Sequence, residues 1–257
     1  MSKRIIVKVG SNPLVSEGGA VQYQVLNLIA AQIARGRTLG FQFVVVTSGA
    51  TLAGLRKAPC LQSVANLVVQ TQIAAFVGQA TIARAWEESF GRLGITAGQM
   101  LRTHADFANG SVTSLLEQIL AQGFVPIINE DDTRSPEEAR AYVKDRGDND
   151  QLACRVAWAI RAERVFLLTD VDGVYDRNQS GELGREPIPV IERVDDAIRS
   201  MVCDGASGRP TGMRSKLAAA DILQTFGITA HIAHAGKEVI VPILEGKQIG
   251  TTFPARH

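Results

Sequence analysis

Four consecutive residues, Gly147-Asp148-Asn149-Asp150, place two carboxylates and one amide immediately before the largely apolar segment 152–158. At the start of a helix, such a stretch offers backbone N–H groups, fixed acids and an amide side chain within one turn. These groups could bind a polar ligand. An ordinary helix cap uses the same residue types, because Asp and Asn are favoured there for local reasons. The functional interpretation therefore depends on other motifs in the chain.

Four such motifs carry a glycine, a lysine or acids at the ends of predicted strands. They are Lys8-Val9-Gly10-Ser11, Thr47-Ser48-Gly49-Ala50, Asn129-Glu130-Asp131-Asp132 and Thr169-Asp170. A lysine on an otherwise buried strand is costly unless its amine reaches a crevice or a partner. Gly10 lets the backbone approach a ligand closely, and the Ser48-Gly49 turn presents N–H groups to an anion. The acids at 130–132 can bind an ammonium group or organise lysines. Acidic clusters are equally common in solvated loops, so this interpretation stays open.

A further motif, Thr211-Gly212-Met213-Arg214-Ser215-Lys216, opens a predicted amphipathic helix. A helix start that carries glycine and lysine suits a phosphate group, because its N–H groups and dipole favour anions. The motif is not a Walker A loop, since the first glycine and its spacing are missing.

Short β-branched segments alternate with longer helical patterns along the chain. The predicted strands are Arg4–Val9, Phe41–Thr47, Phe124–Asn129, Val165–Thr169 and Ile228–Ala233, with Ile95–Leu101 as a weaker candidate. The predicted helices are Val21–Arg37, Ser63–Leu93, His104–Gln122, Asp148–Arg161 and Gly212–Phe226. This alternation predicts an α/β fold, with a mainly parallel sheet between two layers of helices. Ligands of such sheets bind at the carboxyl ends of the strands, where the motifs lie.

Glycines follow or end several predicted helices, where a left-handed cap is favoured. They are Gly36, Gly94, Gly123 and Gly227. Two polar segments, 131–146 and 177–186, are predicted to be exposed loops or hairpins. We expect one domain over residues 1–257, with a softer division into a substrate-side lobe (1–146) and a nucleotide-side lobe (147–257).

The overall composition limits the classes of partner. Lys and Arg total 27 and Asp and Glu total 26, so no net charge attracts nucleic acid or an anionic membrane. No apolar segment approaches the roughly 20 residues of a membrane span, and the N-terminus lacks a signal-peptide pattern. The three cysteines, Cys60, Cys154 and Cys203, are widely spaced. Their odd number and spacing favour a reducing cytoplasm, with Cys154 in the core.

These motifs occur in the order that is typical of the amino acid kinase family, and they most resemble the glutamate 5-kinases. The resemblance runs from about Lys3 to Phe253. It implies transfer of the γ-phosphoryl group of ATP, with Mg²⁺, to the γ-carboxylate of L-glutamate, the first step of proline biosynthesis. Many family members continue into a C-terminal PUA domain, and this chain resembles the short form without it.

The resemblance also implies roles for individual residues. Lys8 and Lys216 would neutralise the transferring phosphoryl group, and Asp150 would hold both lysines. The positions that match substrate-binding residues are Ser48, Gly49, Asp132, Asp148 and Asn149. The positions that match nucleotide contacts are Lys8, Thr169, Asp170, Thr211, Gly212, Met213 and Lys216. Magnesium would be held mainly through phosphates and water, so no residue is assigned as a metal ligand.

Two alternatives remain open from the sequence. One is a kinase of the same fold that acts on another small acid. The other is a non-catalytic, nucleotide-binding regulatory protein, which Arg209-Pro210-Thr211 would favour because the family usually has glycines there. The family also implies a homo-oligomer, a dimer or tetramer, and proline as a feedback inhibitor.

Overall fold

A computed structural model describes residues 3–108, 110–134, 148–177, 183–201 and 212–256. The strands in these ranges are β1 (Lys3–Val9), β2 (Phe41–Val46), β3 (Ala97–Arg102), β4 (Val125–Glu130), β5 (Arg164–Thr169), β6 (Tyr175–Arg177), β7 (Leu183–Pro187), β8 (Thr229–His234) and β9 (Thr251–Phe253). Seven of them form one sheet in the order β3-β4-β2-β1-β5-β8-β9, and β6 pairs with β7 as a separate hairpin.

The main sheet is parallel except at one edge. Strand β1 pairs with β2 on one side and with β5 on the other, both in parallel, and only β9 runs antiparallel to its neighbour. The strands that follow β1 first extend the sheet in one direction, to β4 and β3, and then continue from β5 on the opposite side. This reversal opens a crevice at the carboxyl ends of β1 and β5, where open α/β sheets bind ligands.

Helices cover both faces of the sheet. They are α1 (Ser11–Leu14), α2 (Tyr23–Thr38), α3 (Ala50–Lys57), α4 (Leu67–Gly91), α5 (Ser111–Ala121), α6 (Asp148–Ala159), α7 (Asp196–Met201), α8 (Gly212–Thr225) and α9 (Ile240–Leu244). Apolar side chains of α2, α4 and α9 form one core layer with the sheet, and those of α5, α6 and α8 form the other. The three-layer αβα prediction is therefore confirmed. None of these described helices combines the length and apolar character needed to cross a membrane.

The glycine predictions were partly wrong. Gly94, Gly123 and Gly227 have φ angles of 69°, 75° and 71°, as predicted for left-handed caps. Gly36, in contrast, lies inside α2 and contacts the ring of Phe43, from which an added Cβ would be only 2.4 Å away. Its role is close packing rather than helix termination.

The cysteine prediction is confirmed for one residue. Cys154 lies in α6 and is 3% exposed. Burial raises the pKa of its thiol to about 12, so the side chain stays uncharged at neutral pH. It serves as a small apolar core residue.

Helices α3 and α4 pack with unusually close backbones. A Cβ added at Gly78 of α4 would lie 1.8 Å from the carbonyl oxygen of Ala50, and one added at Gly54 of α3 would lie 1.8 Å from that of Ala74. Both obstacles are backbone atoms, which cannot rotate away as a side chain can. The contact therefore fixes the first turn of α3 against the middle of α4.

We predict that Gly78→Ala lowers the free energy of unfolding by about 3 kcal/mol or more, because the helices must separate to admit the methyl group. Gly91→Ala, at the end of the same helix, is the matched control, since an added Cβ there meets nothing within 4 Å. It should stabilise by about 0.5–1 kcal/mol through helix propensity. Urea denaturation of both variants measures the difference, and equal stabilities would contradict the packing argument.

Candidate active site

The lysines of two motifs and an aspartate of a third meet at the carboxyl edge of the sheet. Lys8 is the second-last residue of β1, Asp150 lies in the first turn of α6, and Lys216 lies near the start of α8. The Nζ atom of Lys8 lies 2.6 Å from Oδ1 of Asp150, and that of Lys216 lies 3.5 Å from Oδ2. One carboxylate is thus shared between two ammonium groups.

All three side chains are buried. Lys8 and Lys216 are each 4% exposed and Asp150 is 1% exposed. Ser215 also hydrogen-bonds to the Asp150 carboxylate. Because solvent screens this cluster poorly, each charge depends on the others. The three side chains together carry one more positive than negative charge, an arrangement that suits an anionic ligand.

The pKa values of the cluster follow from burial and mutual charge. Burial alone would raise the pKa of Asp150, but the opposing effects of Lys216 and Lys8 lower it below its usual range. Burial, assisted by repulsion from Lys216, lowers the pKa of Lys8 to about 8, although Asp150 opposes this shift. Lys8 is therefore mostly protonated at pH 7 and titrates just above it.

Two glycines, Gly10 and Gly212, lie beside the amine of Lys216. A Cβ added at Gly10 would lie 3.9 Å from Nζ of Lys216, and one added at Gly212 would lie 3.6 Å from it. The amine also donates to the carbonyl oxygen of Gly212 at 3.3 Å. Because neither glycine has a side chain, the backbone can approach this ammonium group closely at both positions.

The end of β5 forms one wall of the crevice. Asp170 accepts hydrogen bonds from the hydroxyl of Thr169 at 3.0 Å and from the side-chain amide of Asn12 at 3.1 Å. Asp170 is exposed to solvent, and its partial desolvation would raise its pKa, but these hydrogen bonds and the charge of Lys216 lower it. Sequence reasoning missed Asn12, because an asparagine in a short turn normally signals only local structure.

The opposite wall consists of the ends of β2 and β4. Ser48 is buried, and Gly49 adopts a left-handed conformation (φ 97°) that starts α3. Asp132 follows β4 and is buried. The side-chain oxygen of Asn149 is shielded from solvent and makes no hydrogen bond to the described residues, so it is available as an acceptor.

Some of the predicted site residues cannot be placed. Gly147 and Thr211, together with 209–210, lie outside the described residues. Asp148 and Gly212 are the first residues of α6 and α8, and Met213 is partly buried against the core layer of α8. Among the described residues, His, Cys, Asp and Glu side chains form no group of three or more that could hold a metal ion.

Comparisons with known proteins identify relatives. The profile described as "Amino acid kinase family" matches residues 3–234. The chain is 43% identical over 248 residues to the glutamate 5-kinase of Sphingopyxis alaskensis, which covers 93% of this chain and 65% of that protein. It is 36% identical over 256 residues to the glutamate 5-kinase of Symbiobacterium thermophilum, which covers 98% of this chain and 95% of that protein.

Solved structures share the fold at low sequence identity. A UMP kinase from Bacillus anthracis aligns with a TM-score of 0.67 at 14% identity, over 100% of this chain and 97% of its own. An isopentenyl phosphate kinase aligns with a TM-score of 0.61 at 21% identity, over 97% of this chain and 100% of its own. At these identities the alignments establish the fold and nothing finer.

We predict that Asp150→Asn lowers the free energy of unfolding at pH 7 by about 3–5 kcal/mol, because it leaves buried ammonium charge uncompensated. Without its counter-ion, Lys8 should have a pKa below 8, further from the value of 10.5 that we take for the unfolded chain. The variant then gains more stability than the parent as the pH rises from 7 to 9, because its folded state binds fewer protons.

Denaturant titrations at pH 7 and pH 9 measure both effects. Asp170→Asn is the control, because Asp170 lies beside the same crevice but is exposed, and its loss should cost less than about 1 kcal/mol. A deficit of Asp150→Asn that grows at pH 9 would contradict the shared-carboxylate interpretation.

Proposed function

Because the chain belongs to the amino acid kinase family and groups within it with the glutamate 5-kinases, we propose that it transfers the γ-phosphoryl group of ATP to the γ-carboxylate of L-glutamate. The products would be L-glutamyl 5-phosphate and ADP, and the reaction would be the first step of proline biosynthesis. The observation that carries the proposal is the pair of buried lysines, Lys8 and Lys216, that share the carboxylate of Asp150.

The proposed reaction needs no general base. A γ-carboxylate has a reference pKa of about 4.3, so it is already a nucleophile at pH 7. The obstacle is repulsion between the anionic acceptor and the anionic triphosphate. Catalysis then consists of aligning the two reactants and neutralising the transferring group. Lys8 and Lys216 supply the positive charge, and Asp150 holds their amines in place.

The acceptor is assigned to the wall formed by the ends of β2 and β4. Asp132 and Asp148 would bind the α-ammonium group of glutamate, and the open acceptor oxygen of Asn149 would assist. Ser48 and the N–H groups that follow Gly49 would bind a carboxylate at the start of α3. These roles are supported by the positions that match the family motifs.

ATP is assigned to the side of β5 and α8. The residues that would contact the nucleotide are Thr169, Asp170, Thr211, Gly212 and Met213, together with Lys8 and Lys216. The absence of side chains at Gly10 and Gly212, both beside the amine of Lys216, supports this assignment, because backbone N–H groups can then approach a phosphate closely. Magnesium, carried mainly by the phosphates and water, would add positive charge to the leaving group.

The remaining parts of the proposal concern organisation. One continuous sheet supports a single domain, with acceptor-side elements in 1–146 and nucleotide-side elements in 147–257. Val69, Ile73 and Phe76 of α4 are exposed and follow the i, i+4, i+7 spacing of one helix face, and an apolar stripe of this kind supports assembly into a dimer or tetramer. The free thiols of Cys60 and Cys154 fit the cytoplasm. Proline is proposed as a feedback inhibitor.

We predict that Lys216→Ala lowers kcat by about 100-fold or more, because it removes a fixed charge aimed at the transferring phosphoryl group. Trapping glutamyl phosphate as the hydroxamate measures the reaction. Lys247→Ala is the matched control, since Lys247 is an exposed lysine in the turn after α9, and it should leave kcat unchanged. Full turnover by Lys216→Ala would dismiss the proposed role.

The identity of the acceptor is tested separately. Aspartate, N-acetylglutamate, carbamate and uridylate serve as alternative acceptors, and a higher kcat/KM for one of them would replace glutamate as the proposed substrate.

We also predict an alkaline limb in the pH profile of kcat/KM. The pKa of Lys8 is about 8, so its ammonium group loses its proton as the pH rises through that value. We therefore expect kcat/KM to fall above pH 8 and to approach a tenfold loss per pH unit. Lys8→Arg keeps its charge to beyond pH 12, so its residual activity should lack this limb. Steady-state rates from pH 6.5 to 10 make the comparison, and a parent profile that stays flat to pH 10 would contradict the prediction.

A further inference from the structure

Three side chains of α4, Gln72, Gln79 and Trp86, occur at intervals of seven residues and hydrogen-bond to the strand ends that form the acceptor wall. Seven residues are nearly two helical turns, so the three side chains lie along one line of the helix. None of them belongs to the motifs that indicated the site, yet each contacts backbone or side-chain atoms of those motifs.

Gln79 makes the most extensive of these contacts. It is 6% exposed. Its Nε2 donates to the carbonyl oxygen of Glu130 at 3.0 Å, and its Oε1 accepts from the amide of Asn129 at 2.8 Å and from that of Gln99 at 3.3 Å. One amide group therefore holds both the main chain and a side chain at the end of β4.

The bond to Glu130 replaces a missing strand contact. Pairing between β2 and β4 ends at Val46 and Ile128, with a last hydrogen bond from the N–H of Thr47 to the carbonyl of Ile128. Carbonyls two residues apart on a strand face the same side, so the carbonyl of Glu130 also faces β2, whose chain has by then turned into α3. Gln79 supplies the donor that β2 no longer provides.

The other two side chains fix the flanks of the wall. The Nε2 of Gln72 donates to the carbonyl oxygen of Asp132 at 3.2 Å. The Nε1 of Trp86 donates to the hydroxyl of Thr47 at 2.9 Å, next to Ser48. Gly78, adjacent to Gln79, holds the first turn of α3 by its close contact with Ala50. Both segments that would contact glutamate are therefore anchored to α4.

We infer that Gln79, assisted by Gln72, is a positioning residue for the acceptor substrate. It sets the path of the chain from Asn129 to Asp132, and thereby the place of the Asp132 carboxylate that would bind the α-ammonium group of glutamate. This inference rests on the proposed function. It assigns no contact with substrate to Gln79, which acts through the segment that it holds.

The test is the near-isosteric change Gln79→Met, which removes all three hydrogen bonds and keeps the volume. We expect the KM for glutamate to rise about 10- to 100-fold, because the acceptor wall shifts, whereas the KM for ATP changes by no more than about twofold, because the nucleotide wall is held by other elements. Gln224→Met is the matched control. Gln224 is as fully buried and donates to three backbone carbonyls, at Ile191, Glu192 and Pro254, near the far end of α8.

Gln224→Met should lose stability as Gln79→Met does, with the KM for glutamate unchanged, so a general loss of stability cannot imitate the expected result. Gln72→Met, which removes one hydrogen bond from a half-buried site, should raise the KM for glutamate about 3- to 10-fold. It decides the question if Gln79→Met does not fold.

The outcomes separate the two claims. A parent protein that does not phosphorylate glutamate overturns the proposed function. An active parent whose folded Gln79→Met and Gln72→Met variants keep the parental KM for glutamate overturns only the inference. An equal rise in the KM for glutamate and for ATP also overturns it, because it would indicate a general disturbance of the site.

Discussion

The carboxylate of Asp150, buried between two lysines, is the interaction on which the rest of the site depends. Burying an ammonium group is costly, and burying two side by side adds repulsion. A single carboxylate within 3.5 Å of both amines makes the arrangement tolerable. The chain must therefore bring together the end of β1 and the starts of α6 and α8, which are more than 200 residues apart at their extremes. The central place of β1 in the sheet achieves this.

The two walls beside the lysines are built by different means. On the β5 side, Asp170 is held by a local hydrogen bond from Thr169 and by one from Asn12, in the turn that follows the neighbouring strand β1. On the β2 and β4 side, the strand ends diverge and cannot hold each other, and the long helix α4 supplies the missing hydrogen bonds from Gln79 and its neighbours. The Gly78 contact with α3 belongs to the same arrangement. The packing of α4 is thus part of the site, although the helix contributes no motif.

The sequence predicted the helices and strands better than the contacts between distant residues. Continuous β-branched segments identified the parallel strands, and a lysine on such a strand indicated a crevice, because burial without a partner is unfavourable. The pairing of that lysine with Asp150 could come only from the family resemblance, since sequence spacing does not reveal contacts across 142 positions. Gln79 was missed because a glutamine in a long helix is compositionally ordinary. Short elements such as α9 and β9 carry too few residues for a periodic signal.

The net positive charge of the cluster determines that the site favours anions. Two ammonium groups and one carboxylate leave one positive charge in a region that solvent screens poorly, and burial, with a smaller contribution from repulsion by Lys216, lowers the pKa of Lys8. An anion that enters beside Lys216 would offset the excess and favour the protonated form of Lys8, so anion binding and proton binding are linked. Part of the free energy of anion binding would then come from relief of the repulsion between the two ammonium groups. A cluster with two carboxylates would neutralise both lysines and would therefore attract an anion less strongly.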